Sequence, residues 1–168
     1  HTPIIIDYGI SIDMKKANKQ TYNDMFYIYA PDYYPWCIEQ HIISYIVQHR
    51  IGDDNNEPLT EKELYTIIDV YTTNYFFESF TQEFIQNYNR TLKHYVKPFI
   101  NARPETVLNH LMKDYASWDL VALSIIFINL IKLVYERKPM PNIIVSLLKI
   151  LLLNISPNIK KRPLHKRT

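Results

Sequence analysis

From Asp119 to Glu136 the chain is apolar on nearly every face of a helix, interrupted by little beyond Ser124, Asn129 and Lys132. A helix without a polar side must be covered all round, so this stretch predicts a buried pillar inside a large core. It falls short of the roughly 20 apolar residues of a membrane span, and Ile143–Leu153, which contains Lys149, is shorter still. Both read as buried helices, and no membrane partner is expected. A chain of 168 residues can enclose one such core, and an apolar content of 47% suits a globular rather than a disordered chain. The net charge of +2 argues against nucleic acid as a partner. A single cysteine, Cys37, excludes an internal disulfide framework and suits a reducing, intracellular, cytoplasmic setting.

Around that pillar the pattern is helical almost throughout, which makes the fold class mainly α. Trp36, Ile38, Ile42, Ile43, Ile46 and Val47 recur at helix spacing, with Pro35 suited to a first turn. A polar turn region runs from Ile51 to Pro58. Thr60 and Glu63 then form a capping box that opens a helix towards Phe80. A further helix runs from about Thr81 towards Val96, stopping near Pro98, and Pro104-Glu105 begins another. Pro139 and Pro141 separate the pillar from closing helices over 142–168, whose end is basic at Lys160, Lys161, Arg162, Lys166 and Arg167. Ser11 to Tyr29 shows no periodicity and reads as an exposed loop.

The amino-terminal stretch breaks this pattern. Residues 3–6 read as a short strand, residues 10–12 as a second, and between them stands Asp7-Tyr8-Gly9. Gly9 is one of only two glycines in the chain, so its place directly after Asp-Tyr indicates a backbone turn that needs it. A carboxylate at the exit of a buried strand suits a hard metal ion bound to a polyphosphate.

Ala30-Pro31-Asp32 follows at the distance an activation segment spans, so the sequence resembles a protein kinase from the Asp-Phe-Gly motif onward. Asp119-Leu120-Val121-Ala122-Leu123-Ser124 is similar to the start of kinase helix F. Leu151-Leu152-Leu153-Asn154-Ile155-Ser156-Pro157 with Lys161-Arg162-Pro163 resembles the stretch that closes the carboxy-terminal lobe. Tyr27-Ile28-Tyr29-Ala30-Pro31-Asp32 also looks like kinases of large DNA viruses, which would place the protein in a host cell.

The resemblance implies a partial kinase domain over 1–168. Its activation segment is 7–32, a helical insertion lies at about 51–116, and helix F is at about 119–136. It further implies that Asp7 coordinates Mg²⁺ on ATP, that Tyr8 packs beneath it and that Gly9 permits the turn. Asp119 is expected to hold the catalytic loop, and Arg162 to pair with Asp32. The implied activity is transfer of the ATP γ-phosphate to Ser/Thr hydroxyls of a protein substrate, with Thr21 and Tyr22 as candidate phosphosites in the loop.

The Gly-rich loop, β3 Lys and catalytic loop of a kinase all precede Asp-Phe-Gly, and six residues precede Asp7 here. The chain therefore reads as the later part of something longer and as inactive alone. Two other readings stay open: a pseudokinase whose Asp7 is structural, and a helical protein-interaction module.

Overall fold

The computed structural model describes residues 12–18, 20–51 and 56–163, and it is mainly helical, with no strand among those residues. The strand expected at residues 3–6 lies outside the described residues, as do Asp7, Tyr8 and Gly9. Of the second expected strand only Ile12 is described, and it is not in a strand.

Among the described residues seven α-helices follow in order. They are α1 (Tyr22–Met25), α2 (Ile38–Ile46), α3 (Glu61–Thr72), α4 (Gln82–Val96), α5 (Pro104–Leu111), α6 (Trp118–Tyr135) and α7 (Asn142–Asn154). α2 starts after Pro35 rather than at it. The Gln40 side chain folds back to accept from the Cys37 backbone N–H at 3.1 Å and so caps the first turn at Cys37. A single π-turn, Val47–Ile51, continues it.

The capping box at α3 forms as the sequence predicts. Glu63 N–H donates to Thr60 Oγ1 at 3.2 Å, and the Glu63 carboxylate accepts from Thr60 N–H at 2.8 Å. The same carboxylate accepts from Tyr45 Oη at 2.8 Å and pairs with Arg50, tying α3 to α2 and its π-turn. Partial burial works to raise the Glu63 pKa, but the bonds from Thr60, Tyr45 and Arg50 outweigh it and hold the carboxyl down at about 2. Thr60→Ala should therefore lower the chain's stability by about 1 kcal/mol, read as a drop in thermal midpoint.

α3 stops at Thr72, short of Phe80, because Asn74 caps a separate 3₁₀ turn, Tyr75–Ser79, by accepting from Phe76 N–H at 3.0 Å. That turn drives Phe76 and Phe77 inward, each 1% exposed, with Phe77 edge-on to Tyr71 and tilted against Tyr88. α3 and α4 pack as neighbours, and the excursion they make is closed at its base. Leu59 N–H donates to Ala102 O at 2.9 Å, and Asn101 N–H donates to Leu59 O at 2.8 Å. Asn101 reaches this position at φ 61°, in the left-handed region that asparagine tolerates better than most residues.

One core serves the whole of the described chain. Ile42, Ile43 and Ile46 of α2 share it with Leu64 and Ile68 of α3, Leu92 and Val96 of α4, Leu108 and Leu111 of α5, and Ile125 of α6. The segment expected as an insertion thus supplies much of the core rather than decorating it. α6 departs from the sequence expectation. Val121, Ile125, Ile128 and Ile131 are buried, but Leu123, Ile126, Phe127, Leu130 and Leu133 on the opposite side are about half exposed or more. Pro104–Tyr135, which runs through α5 and α6, is the one helical stretch among the described residues long and apolar enough to cross a membrane by length and composition.

Candidate functional site

The chemistry-bearing residues that the fold brings together lie between the start of α2, the start of α6 and the carboxy-terminal turn Ile159–Lys161. Ile42, Ile43 and Ile46 form the inward stripe of α2, and Glu39 falls on the same stripe, one turn earlier. Its carboxylate is 0% exposed, and the cation it meets is Arg162, itself 2% exposed, with Nη2 3.0 Å from Glu39 Oε1. The rest of the guanidinium is also engaged. Nη1 donates to Ser117 Oγ at 3.1 Å, immediately before α6, and Nε donates to Ser156 O at 3.1 Å, just beyond α7. Burial alone would lower the Arg162 pKa, but the Glu39 charge outweighs that and keeps the guanidinium firmly protonated. One buried ion pair therefore ties together three parts of the chain that are distant in sequence.

Arg162 does not pair with Asp32. Ala30-Pro31-Asp32 forms a turn, with Tyr33 N–H donating to Ala30 O at 3.1 Å, and Asp32 stands exposed on it. The partner lies seven residues on, because the acid that reaches the interior must share the helical phase of the α2 core residues. The signal was present in Pro35-Trp36-Cys37-Ile38-Glu39, where a glutamate joins an apolar stripe and requires a buried cation.

Asp119 lies in the first turn of α6 and is exposed. It stands at a cavity of about 330 Å³ whose walls include Ile12, Met14, Tyr33, Trp36 and Trp118. Its carboxylate makes no ion pair among the described residues. Cys37, beside this region, is 1% exposed, and burial pushes its thiol well above the ordinary range, which makes it a packing residue and not a nucleophile.

Thr21 and Tyr22 are not free loop side chains. Thr21 Oγ1 accepts from Asn18 N–H at 3.0 Å and donates to Lys16 O at 2.7 Å, holding the turn that precedes α1. The Tyr22 ring stands edge-on to Phe26. The stretch expected as an irregular loop is thus organised by local capping, with Asp13 accepting from Lys15 N–H at 3.1 Å to start the turn Met14–Lys16. Among the described residues no group of three or more His, Cys, Asp or Glu could hold a metal ion. The chain matches no family model, no curated protein and no solved structure.

Proposed function

We propose that this chain is the portion of a protein kinase that runs from its metal-binding aspartate to the end of the carboxy-terminal lobe. The observation that carries the reading is the Glu39–Arg162 pair. It joins the segment just after Ala30-Pro31-Asp32 to Lys161-Arg162-Pro163, where the kinase resemblance calls for an acid–arginine tie, with Glu39 in the role expected of Asp32. Ser117, directly before the helix-F-like α6, completes that tie.

In this reading Asp7 supplies a hard oxygen ligand for Mg²⁺, which needs only one or two carboxylates beside phosphates and water. The ion would neutralise phosphate charge on ATP. Asp119 would receive backbone donors of a catalytic segment, a role supported by the cavity beside it. The peptide hydroxyl would lie along the stretch from Ile12 to Tyr34. The reading also requires a catalytic base and a nucleotide pocket, and the proposed substrate is Ser or Thr of a protein.

The test is Mg·ATP-dependent phosphorylation by a longer polypeptide that includes this chain. Asp7→Ala should abolish transfer, and undiminished activity would remove Asp7 from the metal site. A second reading, a helical interaction module or inactive pseudokinase, is favoured by the half-exposed apolar side of α6. It predicts no transfer by any such polypeptide.

A further inference from the structure

From Ile12 to Tyr34 every described side chain is exposed or half-buried except one, Phe26, which is 5% exposed. Its ring meets Tyr22 edge-on with centroids 6.5 Å apart, and meets Trp118 in the same manner at 6.4 Å. Its backbone N–H donates to Tyr22 O at 2.8 Å, and its carbonyl accepts from Gln48 Nε2 at 2.6 Å. Gln48 belongs to the π-turn after α2, and Trp118 opens α6 directly before Asp119. One residue therefore connects this surface segment to two rigid parts of the body.

Ile12, Met14, Ala17, Tyr22 and Met25 also pack against the core but stay half-buried, and the bonds of Thr21 and Asp13 are internal to the segment. Thr21 bonds back to Lys16 and Asn18, and Asp13 pairs with Lys16 across exposed side chains. Tyr29, further along, leans its ring on His49 and Tyr45 from the surface. Ile12 and Met14, upstream in the same segment, form part of the wall of the cavity at Asp119. Where the segment sits decides how wide that cavity is.

We infer that Phe26 is the positioning residue of the segment from Asp13 to Met25, setting its place relative to the head of α6 and hence the shape of the cavity beside Asp119. The consequence for substrate rests on the kinase reading, in which this segment holds the peptide. The positioning itself does not. An ordinary core phenylalanine would stabilise all elements together, whereas an anchor stabilises its own segment above the rest.

Hydrogen exchange on the 168-residue chain separates the two, comparing Phe26→Leu and Phe26→Ala with the parent sequence. The amides to follow are those of Thr21, Tyr22, Met25 and Phe26, all hydrogen-bonded within the segment. Phe26→Ala should speed their exchange by roughly tenfold or more while α3 and α4 stay unchanged, and Phe26→Leu should do so to a smaller extent. If Phe26→Ala fails to fold, Phe26→Leu decides by the same comparison. Unchanged segment amides, or α3 and α4 accelerating by the same factor, would overturn the inference. In a longer, active polypeptide Phe26→Leu should raise KM for the peptide and leave KM for ATP unchanged. Absence of any phosphoryl transfer there would count against the kinase reading and leave the exchange result standing.

Discussion

Arg162→Ala is expected to destabilise the chain by about 3–5 kcal/mol, because it leaves the Glu39 carboxylate buried without its cation. The surroundings give that charge little relief. Glu39 is fully buried, and its second oxygen has no hydrogen-bond partner among the described groups. Against the roughly 5–15 kcal/mol that holds a typical domain folded, this is a large fraction. The loss should appear as a lower urea midpoint by circular dichroism. Replacing both partners with apolar residues, as in Glu39→Leu with Arg162→Met, should recover most of it, since the desolvation cost disappears with the charges. A double variant as unstable as Arg162→Ala alone would mean that the bonds to Ser117 and Ser156 matter more than the ion pair.

Acid should weaken the fold through His41 before it reaches the carboxylates. The ring is 2% exposed, lies 5.7 Å from Trp36 and 5.2 Å from Tyr71, and its Nε2 has no hydrogen-bond partner among the described groups. Burial lowers its pKa to about 4, against a smaller opposing effect from a backbone hydrogen bond to Tyr33. An unfolded histidine takes up its proton near pH 6.5, while the folded one does not until about pH 4. Below pH 6.5 the unfolded chain therefore binds more protons, and stability falls with pH across that window. The total loss is about 3 kcal/mol at pH 4. His41→Phe should flatten the stability profile between those values. Glu63, whose folded pKa is about 2, loses its contribution in a lower window, so the two are separable in a pH series.

Much of the helical architecture was readable because local chemistry marks it. Thr60 with Glu63, Thr81 before α4, and Pro104 in the first turn of α5 each fix a helix start through atoms a few residues apart. The early end of α3 was not readable, because it depends on Asn74 capping a 3₁₀ turn whose Phe77 packs on Tyr71 of α3 and Tyr88 of α4. The sequence marks α6 as apolar all round, but the number of its sides that this chain covers depends on what packs there. The acid partner of Arg162 lay in the sequence as the phase of Glu39 with Ile42, Ile43 and Ile46, whereas Asp32 stands on an exposed turn outside that phase. Of the expected site, Asp7, Tyr8 and Gly9 lie outside the described residues, whereas Asp119 stands at a cavity and Arg162 at a buried tie.

The kinase reading is tested most directly by transfer of labelled γ-phosphate from ATP to protein, using a polypeptide that carries this chain and measured across a range of Mg²⁺ concentrations. It predicts metal-dependent incorporation on Ser or Thr that disappears in Asp7→Ala while the thermal midpoint of that variant stays at the parent value. Incorporation that persists in Asp7→Ala, or none in the parent at any Mg²⁺ concentration, would contradict it.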